Sequence, residues 1–164
     1  MSRSSNYREQ EMTRLGLLGL TPFLFGALMV WVAPILAPQT SFALTMHSMV
    51  LAYGGAIAAY MAGVGAGGLL GERTNNEPLL PGMIVALIAW LAIWTNLPFS
   101  LDIPAAWRHA MILFILIYLL LRDLRAVADG NLPTWYAPLR MRLTFWAGLS
   151  ISAIIVRLIL WGYY

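Results

Sequence analysis

The stretch that decides the fold is residues 15–36, LGLLGLTPFLFGALMVWVAPIL, which contains no charged side chain. A helix needs about 20 apolar residues to cross about 30 Å of hydrocarbon, and this stretch is long enough. It is too long for the core of a cleaved signal peptide, and Glu9 and Glu11 lie among the arginines that precede it. We therefore predict a membrane-spanning helix that stays in the chain.

Four further apolar stretches follow, and short polar or proline-containing segments separate them. The second stretch is long enough to tilt in a bilayer, and the third is the shortest. The predicted fold is all-α, a polytopic membrane helix bundle of five transmembrane helices within residues 15–164, after a cytoplasmic N-terminal tail of residues 1–14. The four further spans are predicted at about 42–70, 82–97, 104–121 and 143–163.

The composition supports a membrane protein and excludes several classes of function. Hydrophobic residues make up 60% of the chain, charged residues 10%, and the mean hydropathy is +0.74. A water-soluble domain of this size could not bury that much apolar surface. Cysteine and lysine are both absent, which excludes disulfides, thiolate chemistry and a catalytic lysine. The net charge of +3 comes from arginines at the ends of apolar runs, so no nucleic-acid partner is expected.

The distribution of arginines predicts the orientation of the bundle. Only Arg108 and Arg157 fall on one side of a five-span topology. Because positive charge concentrates on the cytoplasmic side, the opposite side is predicted to be cytoplasmic, or the matrix side in a mitochondrion. The expected location is a bacterial or mitochondrial inner membrane, with the C-terminus in the periplasm or intermembrane space. The arginines of the predicted cytoplasmic side are Arg3, Arg8, Arg14, Arg73, Arg122, Arg125, Arg140 and Arg142.

Small residues recur at every fourth position along the second predicted span. Such a row gives a helix a flat face that another backbone can approach closely, as in helix association within lipid. Three interpretations stay open: packing inside the bundle, docking of another subunit or a second copy, and a pocket for a flat lipid or quinone. The residues of this row are Gly55, Ala59, Gly63, Gly67 and Gly71.

Few ionisable residues lie within the predicted spans. Arg157 is the one intramembrane charge, and it either extends its guanidinium towards the membrane surface or pairs with Asp102. His47 and His109 are interpreted as interfacial side chains, with a shared metal or haem site as the alternative. No metal-ligand motif accompanies them, so no metal site is predicted.

Aromatic side chains give a candidate surface for an apolar ligand. Trp90 and Trp94 are four residues apart and therefore share one face of the third span. Together with Tyr53 and Tyr60 of the second span, they are the candidate contacts. A lipid or a quinone is the expected kind of ligand, and no other cofactor is predicted.

One segment resembles a known family. Residues 132–144, LPTWYAPLRMRLT, are similar to the LPxWYxxLRxxLT segment of a small membrane family that comprises bacterial proteins of unknown function and mitochondrial transmembrane protein 69. Residues 19–23 and 53–63 resemble two other family segments, although Gly65 and Ala66 replace a frequent His-Trp pair. The resemblance implies a five-span inner-membrane protein and no established reaction. The residues that carry the main segment, which is predicted to lie at the membrane interface, are Leu132, Pro133, Trp135, Tyr136 and Arg140.

These features favour a protein without catalysis of its own, because no catalytic set of residues is recognisable. The first hypothesis is an accessory or assembly subunit that packs against a larger respiratory or photosynthetic membrane complex, with membrane lipids and other integral subunits as partners. The alternative is a binder or carrier of an apolar ligand such as a quinone, a lipid or a tetrapyrrole. A small channel or transporter is the second alternative, and the lack of acidic residues in mid-span disfavours it.

Overall fold

The computed structural model describes residues 3–36, 40–71, 80–94 and 103–161, with side chains for 9–32, 35, 42–64, 80–94 and 103–161. These residues form five α-helices and no strand, which confirms the predicted all-α bundle. The helices are α1 (Arg3–Leu36), α2 (Thr40–Gly71), α3 (Leu80–Ile93), α4 (Ala105–Ala128) and α5 (Tyr136–Trp161).

Several helix boundaries differ from the sequence-based spans, and α5, for example, begins at Tyr136 rather than near Leu143. The first helix begins at Arg3, so most of the predicted tail continues α1 as helix. The fourth helix runs to Ala128, beyond the apolar stretch predicted for it, and the turn that follows begins at Asp129. There Gly130 takes a φ of +81°, and the backbone N–H of Asn131 donates to the carbonyl of Ala126 at 2.9 Å. A left-handed residue that closes the last turn in this way is a common helix end.

The helices form a ring of four with one helix outside it. In the ring, α1 packs against α2 and α5, α4 packs against the same two helices, and α3 packs on the outside of α2 and α4. Two hydrogen bonds fix α1: Tyr53 donates to the carbonyl of Gly19 at 2.8 Å, and the indole N–H of Trp31 donates to the carbonyl of Ala153 at 3.1 Å. The core is aliphatic at its centre, where Leu119 and Ile154 are fully buried.

The outer surface of the bundle is apolar, as a bilayer requires. Phe114 is 72% exposed and Leu160 66% exposed, and such side chains surround the ring. Within the part of the chain that the structure describes, three helical segments are long and apolar enough to cross a membrane, namely 9–32, 42–64 and 136–161. The protein is therefore a membrane protein. The helix α3 has only 14 residues, which at about 1.5 Å per residue is short for a full crossing, so the count of five crossings stays a prediction.

The row of small residues on α2 is packed against α3 at one end and exposed further along. At Gly55 a Cβ atom would overlap the side chain of Ile93 and would lie 3.3 Å from the carbonyl oxygen of Ala89, so α3 packs directly on this position. Ala59 is half-buried, whereas Gly63 is exposed and has no atom within 4 Å of an added Cβ. Gly67 and Gly71 lie outside the residues whose side chains the structure describes. One end of the row therefore packs within the bundle, and the row is open at Gly63.

Candidate functional site

A buried ion pair joins α4 to α5. Because α4 extends to Ala128 and α5 begins at Tyr136, Asp123 and Arg140 both lie within helices and face each other across the turn between them. The Nε–H of Arg140 donates to Oδ2 of Asp123 at 2.8 Å. Only 5% of Arg140 and 7% of Asp123 are exposed. Such a geometry, short and well aligned, is what makes a buried pair stable once its charges have left water.

Two neighbours complete the polar cluster. Arg122 lies 3.4 Å from Oδ1 of Asp123 through Nη2, and the same Nη2 donates to the carbonyl of Met61 at 3.2 Å. The hydroxyl of Tyr136 donates to Oδ2 of Asp123 at 3.5 Å. The carboxylate therefore accepts from three side chains and connects α4 and α5, while Arg122 reaches α2. With two guanidinium groups for one carboxylate, the cluster carries a formal charge of about +1.

A cavity of about 280 Å³ adjoins this cluster inside the ring of four helices. Its deep end is formed by buried side chains, among them Phe23 and Leu116. Its mouth opens between α1 and α2, where Leu15 is 60% exposed and Tyr60 is 69% exposed. The remaining lining residues are Met12, Gly16, Gly19, Leu20, Ile57, Met61, Val64, Tyr136, Leu139, Arg140, Leu143, Thr144 and Ala147.

Two buried polar atoms, in residues that line the cavity, have no hydrogen-bond partner among the described residues. They are Nη2 of Arg140 and Oγ1 of Thr144, and both side chains are more than nine-tenths buried. The two residues are four apart on α5 and therefore lie on the same face, one turn from each other. A buried donor without a partner costs about 1–3 kcal/mol, more for a charged group. The residues around the cavity thus combine apolar side chains with two buried donors that lack an acceptor.

The profile of a family described as "Protein of unknown function (DUF3429)" matches residues 8–156. The chain belongs to this family. The region matched to DUF3429 contains every residue that lines the cavity and all four residues of the polar cluster. Comparison with curated proteins and with solved structures gives no match.

One of the four aromatic candidates from the sequence lines the cavity. Tyr60 stands at its mouth. Tyr53 lies beside the cavity instead, where its ring meets Phe23 edge to face at 5.2 Å while its hydroxyl bonds to Gly19. Trp90 and Trp94 do share a face of α3, with rings 4.8 Å apart, but that face points outward and both are largely exposed.

The segment with the family resemblance is divided between the membrane edge and the polar cluster. Leu132 and Pro133 lie in the turn before α5, and the ring of Trp135 contacts that of Tyr136 at 6.1 Å. Tyr136 and Arg140 contact Asp123. Arg140 is thus buried in the bundle, although the sequence places it among the surface arginines.

The two histidines meet at the opposite end of the ring. Their rings are 5.6 Å apart, and His47 is 4% exposed and His109 1% exposed, so both lie inside the bundle rather than at its surface. The Nδ1–H of His109 donates to the carbonyl of Ala105 at 2.9 Å. No third His, Asp or Glu of the described residues joins them in a group suited to a metal ion.

Arg157 lies between two tryptophans near the end of α5. Its guanidinium carbon is 3.1 Å from the centre of the Trp161 ring and 4.9 Å from the centre of the Trp31 ring. A cation over an aromatic face is stabilised by the ring quadrupole, which makes this arrangement suitable for a charge near the membrane surface. Asp102, the partner considered from the sequence, lies outside the described residues.

Asp123 and Arg122 are the site residues that the sequence did not single out. Both fall after the last long apolar run of α4 and therefore look like part of a polar connection. A helical signal was nevertheless present, because Leu116, Leu119 and Asp123 are spaced as one face of a helix and all three are buried. Continuing that face past Leu121 would have placed Asp123 inside the bundle.

Proposed function

We propose that this protein binds, in the cavity beside Arg140, a membrane-soluble ligand with an apolar body and a head that accepts hydrogen bonds. This is the apolar-ligand function considered from the sequence. The observation that supports it is that two residues lining an otherwise apolar cavity, Arg140 and Thr144, each carry a buried donor without a partner, Nη2 and Oγ1. Ligand sites are commonly of this kind, with apolar walls and a few placed polar groups.

The shape of the cavity gives the ligand a direction. Its head lies at Arg140 and Thr144, its body lies against Phe23 and Leu116, and its apolar end leaves between α1 and α2. The exposed side chains at this mouth face the bilayer, so entry is lateral and avoids water. A volume of about 280 Å³ is small for a ligand site, and it suits a head with the first part of a chain whose remainder lies in the bilayer.

The arginine distribution supports a more specific location. If the side rich in arginine is cytoplasmic, the cavity opens into the cytoplasmic leaflet of an inner membrane, since α1 and α5 begin and α2 and α4 end there. We also propose that the protein is related to mitochondrial transmembrane protein 69, as the resemblance of residues 132–144 implies.

Labelling of engineered cysteines in this naturally cysteine-free chain tests the orientation: Ser4→Cys is expected to be accessible from the cytoplasm only.

The other sequence-based hypotheses stay predictions. Another subunit of a larger membrane complex could dock at Gly63, where no atom lies within 4 Å of an added Cβ, but no observed contact identifies such a subunit. The expectation that the protein has no catalysis of its own stays a prediction, and so does the alternative of a small channel or transporter. The ligand-binding function is preferred because buried atoms of the bundle itself support it.

Blocking the mouth of the cavity tests the proposal. Val64 lines the mouth and is 57% exposed, so Val64→Trp can place an indole in the opening without disturbing the core. Lipids extracted from the purified wild-type protein are expected to contain one species enriched over the bulk membrane. In Val64→Trp that species should fall about tenfold or more, since overpacking costs about 1–3 kcal/mol. Mass spectrometry of the extracts measures both quantities.

The matched control is Val156→Trp, which makes the same substitution on an exposed face of α5 away from the cavity. This variant is expected to retain the enriched species at the wild-type level. A bulk-lipid profile from the wild-type protein, or equal losses in the two variants, would contradict ligand binding in the cavity.

A further inference from the structure

We infer that the head of the ligand is a phosphate, so that the cavity takes a phosphate-headed lipid with one oxygen on Arg140 Nη2 and another on Thr144 Oγ1. This inference rests on the proposed function and specifies the class of ligand. Three observations support it: the charge of the cluster, the direction of its donors and the depth of Arg140.

The polar cluster lacks one negative charge. Asp123 is the carboxylate within 4 Å of Arg140 and Arg122 among the described residues, and no acidic residue is among those that line the cavity. The side chain of Arg122 is 29% exposed and can be screened by solvent, whereas that of Arg140 is 6% exposed, and burial weakens the screening of its charge. An anionic head restores neutrality in the cluster, whereas the carbonyl of a quinone or an ester leaves the excess charge in place.

The directions of the donors suit an anion with several oxygens. The Nε of Arg140 is occupied by Asp123, which holds the planar guanidinium in one orientation and leaves Nη2 without a partner, in a residue that lines the cavity. Guanidinium groups bind phosphate through a rigid fork of donors. The hydroxyl of Thr144 lies one turn further along α5, where a second oxygen of the same head can reach it. A quinone carries its two carbonyls on opposite sides of the ring, so only one can enter this corner.

The depth of Arg140 along α5, close to the start of the helix, suits a lipid head group. It lies four residues after Tyr136, where α5 begins, which is about 6 Å along the helix axis. Trp135 and Tyr136 precede it and are typical of the membrane–water boundary. A lipid whose phosphate is at this level can keep its chain in the adjacent leaflet and leave through the mouth between α1 and α2.

The head chemistry has two sources in a membrane: the phosphodiester of a bilayer phospholipid and the phosphomonoester of a polyprenyl lipid. We suggest testing four probes on the delipidated, detergent-solubilised full chain by native mass spectrometry. Dioleoylphosphatidylglycerol and farnesyl phosphate carry the phosphate, dioleoylglycerol has the same acyl chains without it, and decylubiquinone offers a neutral carbonyl head. At least one phosphate probe is expected to bind about tenfold or more tightly than both neutral probes. The tighter of the two phosphate probes identifies the source.

A single hydroxyl provides the matched variant. Thr144→Val keeps the shape of the side chain, and we expect it to weaken the preferred phosphate probe about tenfold while leaving dioleoylglycerol unchanged. Thr21→Val is the control, because Thr21 is on α1 and its hydroxyl bonds to the carbonyl of Leu18 outside the cavity. The comparison of probes on the wild-type chain does not depend on the folding of any variant.

Two results separate the inference from the proposed function. If all four probes bind equally to the wild type and all are lost in Val64→Trp, the cavity binds lipids but the phosphate inference is wrong. If Val64→Trp binds every probe as tightly as the wild type, binding occurs elsewhere and the proposed function fails as well.

Discussion

Replacing Arg140 with Gln is expected to lower the free energy of unfolding by about 3–5 kcal/mol, because it leaves the buried carboxylate of Asp123 without its shortest partner. The pair is joined at 2.8 Å, and its side chains are only 6% and 9% exposed, so water cannot replace the lost guanidinium. Denaturant unfolding of the purified protein in mixed micelles, followed by tryptophan fluorescence, measures the change.

Arg142→Gln is the matched control, since Arg142 lies two residues further along α5 and is exposed. It should change stability by no more than about 0.5 kcal/mol. The double variant Asp123→Asn with Arg140→Gln is expected to recover part of the loss, because it leaves no isolated buried acid. Equal effects of the two arginine substitutions would mean that the ion pair does not hold the ends of α4 and α5 together.

Gly55→Ala is the second substitution with a large expected effect, a destabilisation of about 1–3 kcal/mol from overpacking. The added methyl group would lie 2.7 Å from Cγ1 of Ile93 and 3.3 Å from the backbone carbonyl of Ala89. The end of the Ile93 side chain can rotate away, but the backbone of α3 cannot, so α2 and α3 must separate slightly. The same unfolding measurement reports the loss.

Gly63→Ala makes the identical change two turns further along the same row. Because nothing lies within 4 Å of an added Cβ there, it should be neutral or stabilise α2 by up to about 1 kcal/mol through helix propensity. If both alanines had the same effect, α3 would not pack on α2 through Gly55. If Gly63→Ala alone were harmful, the open part of the row would have a partner that the isolated chain lacks.

The sequence was a good guide to the helices because long apolar runs leave few alternatives in a bilayer. It located all five helices, although it ended the fourth span at about residue 121 and α4 continues to Ala128. Boundaries were less certain where the pattern was mixed. Residues 3–14 continue α1 although they are polar, and Asp123 belongs to α4 although the apolar run has ended.

The site was harder to predict than the fold, for a physical reason. A count of arginines treats each one as a surface charge, because the positive-inside rule uses only the side of the membrane on which each arginine lies. Whether an arginine is buried depends on what faces it from another helix. Arg140 faces Asp123 because of the way the turn between α4 and α5 orients the two helices, and the sequence pattern does not predict that orientation. Of the aromatic candidates, Tyr60 lines the cavity, whereas Trp90 and Trp94 share a face that points away from the bundle.

The central claim is that the cavity beside Arg140 holds one membrane lipid by its head. The most direct measurement is an experimental density map of the wild-type protein in nanodiscs made from its native membrane, with a bound antibody fragment to aid alignment. We predict elongated density that begins within hydrogen-bond distance of Arg140 Nη2 and Thr144 Oγ1 and leaves between Leu15 and Tyr60. A cavity closed by movement of Leu143 or Phe23, or one that contains only water at the same map quality, would contradict the claim.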